Sequence, residues 1–330
     1  MPHVTIDNNN FYLIRSNELK RHYMDKSYNK FYILLSITAI IWGAQPVLIK
    51  LTIKELTPTT LTAFRFFLLS GTIFLIMYFT HEKRMLPPKK CILPLFLMGI
   101  CGVLINNVAQ FSGLRYSTVT NATLISSSTP AITALLAAVF LKERLLPLQW
   151  IGILISLSGA SFLVSHGSLD VILNISFNFG DILFFISQAA WAIYSLISLR
   201  VMQELSALST TAWAGILGAI TTTIYGCYTG ELQYAAISTP VALSLIYIIW
   251  GGGVCAMMFW NMSVKETGAS KASIFLNIMP IIGIICGVLF LQEEIRLQEF
   301  FGAIAILSGV YLTTHSETVI KTISKKVSSS

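Results

Sequence analysis

Apolar residues along this chain gather into long runs separated by short polar breaks. Each run approaches the roughly 20 residues that a helix needs to cross a hydrocarbon layer. Ten are legible, at 31–52, 58–79, 92–112, 117–141, 147–165, 180–200, 208–229, 240–261, 267–291 and 297–314. The connections are short, and the longest, 166–179, carries no basic residue. Residues 1–30 and 315–330 are polar and read as frayed tails. The first run is too long for the apolar segment of a signal peptide and lacks a small-residue cleavage site, so it reads as a retained span. The pattern predicts an all-α integral membrane protein with ten transmembrane helices.

Composition narrows the class further. Of 330 residues 55% are hydrophobic and only 11% charged, against roughly 25–35% charge on an ordinary soluble surface. A mean hydropathy of +0.72 excludes disorder as well, because disordered chains are poor in apolar residues. Cys91, Cys101, Cys227, Cys255 and Cys286 all lie in apolar runs without a CxxC spacing, and His3, His22, His81, His166 and His315 fall in a tail or at run edges. Neither set makes a disulfide framework or a metal cluster, and no metal or cofactor is expected. The net charge of +7 raises nucleic acid as a partner, but position explains it. Seventeen of the twenty-two basic residues fall on one side of the ten-span topology, four on the other, and Arg65 inside a span. By the positive-inside rule this predicts both termini in the cytoplasm and loop 166–179 outside.

The chain also resembles itself. A shift of 150 residues aligns Gly102 with Gly252, Pro130 with Pro280, Glu143 with Glu293, Gly152 with Gly302 and Leu157-Ser158-Gly159 with Leu307-Ser308-Gly309. Trp42 and Trp191 match at a shift of 149. The expected organisation is a tail over 1–30, a five-helix repeat over 31–165, a second over 180–314, and a tail over 315–330. Five is odd, so the second copy enters the membrane inverted, an arrangement found in secondary transporters with the cargo site near the midplane.

Two segments carry a likeness to a known family: GASKASIFLNIMPIIGIICGVLFLQEE followed by FFGAIAILSGVYL, and the first-half copy STVTNATLISSSTPAITALLAAVFLKER followed by WIGILISLSGASFLV. Together with Trp42-Gly43, Phe64-Arg65-Phe66, Gly180-Asp181 and Ala190-Trp191-Ala192, they resemble the drug/metabolite transporter superfamily, in its EamA-like branch. The resemblance covers about 30–315. It implies a ten-helix transporter of small metabolites, often an exporter of amino acids or related compounds, and it leaves the cargo open.

Polar side chains at mid-depth usually face the bundle interior or a watery cavity. Asn106, Asn107 and Gln110 are the amides of span three, and the corresponding stretch of span eight holds Met257, Trp260 and Asn261. Trp42 and Gln45 in span one pair with Gln188, Trp191 and Tyr194, a three-residue stripe in span six. A chamber lined by both sets suits a small zwitterion or amphipathic metabolite; bonding between helices is the plainer alternative for the amides. Arg65 reads either as a ligand for a substrate anion or as a structural cation, and Lys271, the repeat partner of Asn121, as an inner-mouth ligand or an orientation anchor. Pro46, Pro130 and Pro280 interrupt spans one, four and nine as helix bends. Asp or Glu is missing from mid-depth: Asp181 begins span six, and Glu143 and Glu293 sit at span ends. An intramembrane carboxylate relay therefore lacks its usual residue.

The function these features predict is alternating-access secondary transport of a small polar or amphipathic metabolite, by efflux or exchange and without ATP chemistry, since no GxxxxGK(S/T) loop is present. A nucleoside-type cargo such as S-adenosylmethionine is the alternative substrate, and an integral-membrane lipid-modifying enzyme the alternative class. The expected partners are a small-molecule cargo and the lipid bilayer, not nucleic acid. The chain is expected in a plasma membrane, a bacterial inner membrane above all, as a monomer or homodimer.

Overall fold

The structure is a computed structural model. It describes residues 8–82, 85–117, 125–142, 144–164, 168, 170, 178–233, 236–282, 285, 297–316 and 318–320, with side chains from Asn29 onward apart from 163, 164 and 297–299. Asn121, Glu143, Cys286 and Glu293, and much of loop 166–179, lie outside the described residues.

Among the described residues the chain is helical and has no strand. Helix α1 runs Asn8–Thr52, α2 Pro58–Phe79, α3 Lys89–Met98 and α4 Asn106–Tyr116, with a π-helical turn at Gly99–Ile105 joining the last two. Then come α5 Thr129–Phe140, α6 Pro147–Val164, α7 Phe179–Val201 and α8 Ala207–Thr229. A second π segment, Tyr247–Cys255, joins α9 Thr239–Ile246 to α10 Ala256–Thr267. Helix α11 Ala269–Ser273 passes into a 3₁₀ segment, Ile274–Ile278, and α12 spans Leu297–Thr314. Among the described residues six helical stretches are long and apolar enough to cross a membrane: Asn29–Thr52, Pro58–Phe79, Lys89–Tyr116, Phe179–Val201, Ala207–Thr229 and Thr239–Thr267. Shorter apolar helices lie within the fourth, fifth, ninth and tenth runs, at Thr129–Phe140, Pro147–Phe162, Ala269–Ile282 and Phe300–Thr314. Large apolar side chains such as Ile33, Val47, Leu75 and Ile224 are exposed, as a surface that meets lipid requires.

Helix ends follow local chemistry. The Thr57 side chain accepts from the Thr60 N–H before Pro58 opens α2, a position where proline's missing donor costs nothing. Asn178 and Asp181 form a reciprocal capping box at the start of α7. Polar residues hide two other limits. The apolar pattern ends span eight at Asn261, yet α10 continues through Lys265 and Glu266 to Thr267 and stops at Gly268, whose φ of 85° suits glycine. The amino-terminal segment, expected to fray, instead continues α1 back to Asn8; helix propagation from an existing span costs far less than nucleation.

Close approach of backbones holds the bundle together, as is common where lipid removes the hydrophobic drive between helices. Helices α6 and α12 pack antiparallel through their glycines. A Cβ on Gly152 would stand 2.8 Å from the Gly309 carbonyl oxygen, and one on Gly159 2.9 Å from that of Gly302. Because Gly152 and Gly159 are offset from Gly302 and Gly309 by 150 residues, each contact is the other's repeat image. Helices α2 and α8 also run antiparallel, with Gly215 beside Leu69 and Ser70 and Gly226 beside Thr59. At one end of the bundle the two halves are tied by polar contacts. The Glu55 carboxylate accepts from the Ser238 N–H at 2.8 Å and its hydroxyl at 2.7 Å, while Thr59 donates to Glu231. Those Ser238 donors hold the Glu55 carboxyl below its ordinary range, so the clasp contributes at neutral pH and weakens as pH falls through the lowered value. We expect Ser238→Ala to loosen this end at pH 7 and to have a smaller effect in acid, read by protease sensitivity of the 230–238 loop.

Candidate functional site

Helices α1, α2, α4, α7 and α10, the first π segment and the 3₁₀ segment meet around an interior cleft of about 680 Å³ including the open space at its mouth. Its walls take Trp42, Gln45 and Pro46 from α1, Arg65 from α2, Asn106, Asn107 and Gln110 from α4, Gln188 and Trp191 from α7, and Met257 from α10. Ten residues expected at a chamber or bend in separate runs therefore stand on one cleft. Ile49, Phe66, Gly102, Phe111, Leu276 and Met279 complete it. Sequence reasoning did not place these at the cleft because an apolar residue in an apolar run carries no signal of its own; Gly102 had its pairing with Gly252, and Phe66 its place in the Phe64-Arg65-Phe66 likeness.

The π segments end at repeat-equivalent residues, Ile105 and Cys255. A π turn is widened and is often found at functional sites, and here its carbonyls are taken up by side chains. Asn107 Nδ2 donates to the carbonyls of Gly102 and Val103, each at 3.0 Å. Trp42 Nε1 donates to Gly252 O at 2.8 Å, and Gln45 Nε2 to Ile248 O at 3.4 Å. The glycines within the segments admit matching neighbours. A Cβ on Gly102 would lie 2.2 Å from Cδ2 of Tyr194, and one on Gly252 1.8 Å from Nε2 of Gln45. Gln45 and Tyr194 are 149 residues apart, the offset of Trp42 and Trp191, so these two contacts are also repeat images.

The tryptophans form one aromatic cluster. Trp42 and Trp191 meet edge to face at 5.3 Å and 82°, and both lie against Trp260, at 5.6 and 5.4 Å. Tyr194 stacks on Trp191 at 5.1 Å. The structure does not bring Tyr194, Trp260 or Asn261 onto the cleft. Tyr194 and Trp260 are buried behind Trp42 and Trp191, and Asn261 Nδ2 donates to Tyr194 Oη at 2.7 Å and Thr211 Oγ1 at 2.8 Å. They support the wall from behind, because a helical stripe gives direction around an axis and not depth behind a neighbour.

Several amides are also committed to the fold. Asn106 Nδ2 donates to the Ser187 carbonyl and hydroxyl, both at 3.0 Å. Gln188 accepts from Thr129 Oγ1 at 2.7 Å and donates to Ser126 Oγ at 3.2 Å. Gln110 makes no side-chain hydrogen bond among the described residues. Arg65 is only 5% exposed. Its Nη1 reaches Asn107 Oδ1 at 3.4 Å, its guanidinium sits 5.3 Å from the Phe66 ring centre, and its Nε has no partner.

Two further expectations change. Pro130 opens α5 after a turn at Ser127–Ser128 and does not bend a continuous helix, because a proline in the first turn has no intrahelical bond to lose. Its counterpart Pro280 follows the 3₁₀ segment, and neither residue lines the cleft. Lys271 lies in α11, also off the cleft.

A bundle of apolar helices enclosing a polar and aromatic cleft defines a multi-pass membrane protein of transporter type. The chain belongs to the EamA-like transporter family, which it matches twice, over residues 29–165 and 178–315. It is 30% identical over 288 residues to the uncharacterized transporter YyaM of Bacillus subtilis, covering 84% of this chain and 92% of that one. An uncharacterized transporter of Archaeoglobus fulgidus is 27% identical, with 87% and 98% covered. The uncharacterized inner membrane transporter YicL of Salmonella typhimurium is 24% identical, with 84% and 92% covered. One solved crystal structure superposes with a TM-score of 0.70 over 85% of this chain and 95% of its own, at 18% identity, a likeness of fold.

Proposed function

We propose that this chain is a secondary transporter that moves a small polar or amphipathic metabolite by alternating access through the cleft. The observation that carries the reading is the position of the cleft at the seam between the halves, with Trp42 and Gln45 from one and Gln188 and Trp191 from the other on the same cavity. In this reading the ten apolar runs are ten helices in two inverted five-helix repeats. The paired contacts of Gly152 with Gly309 and Gly159 with Gly302, and of Gly102 with Tyr194 and Gly252 with Gln45, support it, since a two-fold axis makes each contact recur with partners exchanged. The charge asymmetry supports cytoplasmic termini, and the name of the Salmonella relative supports a bacterial inner membrane.

Purified protein in liposomes loaded with a pooled metabolite set tests the function. Counterflow of at least one compound is expected, and none from a pool that covers amino acids, nucleosides and organic acids would remove the proposal. Topology has its own test: a cysteine at position 172, in a background without other cysteines, should react with an impermeant thiol reagent from outside the cell. Reaction only from the cytoplasmic side would reverse the orientation. Coupling through Asp181 is not part of the mechanism, because that carboxylate accepts from the Asn178 N–H at 2.9 Å and from the Ser117 hydroxyl. Asp181→Asn should keep pH-driven accumulation and counterflow, while Asp181→Ala loses the carboxylate half of the capping box and keeps the Asn178 cap. Loss of pH-driven accumulation in Asp181→Asn with counterflow intact would identify a coupling carboxylate.

A further inference from the structure

We infer that the cargo of this cleft carries a single carboxylate, seated on Arg65, with its apolar part against Trp42, Trp191 and Met257. The inference rests on the transporter reading and sharpens it. Three observations lead there.

Arg65 places a full positive charge in the wall of the cleft while being 5% exposed. Among the described residues no Asp or Glu lines that cleft and no ion pair reaches Arg65. Its only hydrogen bond among the described residues is the 3.4 Å contact to Asn107 Oδ1, and Nε is unpartnered among them. A buried cation so weakly compensated draws an anion.

The second observation concerns which polar groups remain for a ligand. The Trp42 indole N–H and both amide N–H groups of Asn106 and Asn107 are already engaged with backbone carbonyls or with Ser187, and Gln45 and Gln188 each spend one of two. The donors left among the cleft residues are those of Arg65, the Trp191 indole N–H, which is buried without a partner, the Gln110 amide, and one amide N–H each of Gln45 and Gln188. Arg65 and the Trp191 indole donate and cannot accept. A ligand that complements them must bring acceptor oxygens.

The third is the charge balance. One guanidinium offers a planar fork that a carboxylate matches with two parallel hydrogen bonds. A dianionic phosphate would leave a net negative charge among Trp42, Trp191, Met257 and Phe66, with no second cation on the described walls. An ammonium group would meet no carboxylate there. A monoanion with an apolar or aromatic body fits all three conditions.

The test uses the full-length protein in detergent, with the intrinsic tryptophan fluorescence of the cluster as the readout. The probes are acetate, benzoate, 3-phenylpropionate and indole-3-acetate, their four neutral amides, and 3-phenylpropylamine. At least one carboxylate is expected to change the fluorescence saturably and to bind at least about tenfold more tightly than its own amide, as a charge-assisted pair should. Arg65→Gln should bring the carboxylate to the affinity of the amide, and Arg65→Lys should keep an intermediate affinity because it retains the charge but not the fork. The inference is overturned if no carboxylate binds, if amide or amine binds as tightly, or if Arg65→Gln binds the carboxylate like the wild type. Should Arg65→Gln fail to accumulate, the wild-type comparison of acid with amide and the Arg65→Lys affinity decide the matter. Liposome flux separates the two levels of the argument. Flux of neutral or cationic compounds with no preference for carboxylates sinks the anion site and leaves the transporter, whereas carboxylate binding without flux of any compound sinks the transporter and leaves the site.

Discussion

Gly102→Ala is expected to lower the midpoint of thermal unfolding, at a cost of about 1–3 kcal/mol for an overpacked contact, and to reduce counterflow. The added methyl would stand 2.2 Å from the ring of Tyr194. That ring cannot yield easily, because it stacks on Trp191 at 5.1 Å and its hydroxyl is held by Asn261 at 2.7 Å. The repeat-equivalent change, Gly252→Ala, meets Gln45 at 1.8 Å, a closer contact with a milder expected result. Only the amide end of Gln45 is in the way, and it is held by one 3.4 Å hydrogen bond. The prediction is therefore an asymmetry between two symmetric positions. Equal losses in the two variants would show that the pinned tyrosine is not the cause, and partial recovery in Gly102→Ala with Tyr194→Leu would show that it is.

Trp191→Ala should have the largest effect of any single cleft substitution. Trp191 touches Trp42, Tyr194 and Trp260 at ring distances of 5.1–5.4 Å. Truncating a buried aromatic of this size costs about 3–5 kcal/mol, and the same change removes the surface on which the apolar part of a cargo would lie. We expect loss of counterflow together with a lowered unfolding midpoint. Trp191→Phe keeps a ring and gives up the unpartnered indole N–H, so it should stay folded while its affinity for carboxylate probes falls. Normal flux in Trp191→Ala would separate the aromatic cluster from transport.

Much of this site was legible in the sequence for a specific physical reason. Polar and charged side chains are rare inside apolar runs, so Gln45, Arg65, Asn106, Gln110 and Gln188 announce an interior position, and the repeat offset relates Trp42 to Trp191. What the pattern could not supply was depth and division of labour. Trp191 and Tyr194 share one stripe, yet Gly102 lets α3 and α4 close over Tyr194 and leaves only Trp191 on the cleft. Asn106 and Asn107 look like ligands on residue type alone, but the π turn and Ser187 use their N–H donors. Nor does an apolar run reveal where its helix breaks. The 3₁₀ segment at Ile274–Ile278 lies inside a run whose residues are as apolar as a helix would need, whereas the turn at Ser127–Ser128 falls in a Ser126–Thr129 stretch followed by Pro130, a signal that the length of the surrounding apolar run outweighed.

Alternating access itself is tested most directly at Gln110, which lines the cleft and has no hydrogen-bonding duty among the described residues. Gln110→Cys, in a background whose native cysteines are replaced, would be exposed to an impermeant thiol reagent in right-side-out and in inverted vesicles. The account predicts reaction from both sides, at rates shifted in opposite directions by a cargo gradient. Reaction from one side only, unchanged by cargo, would contradict it.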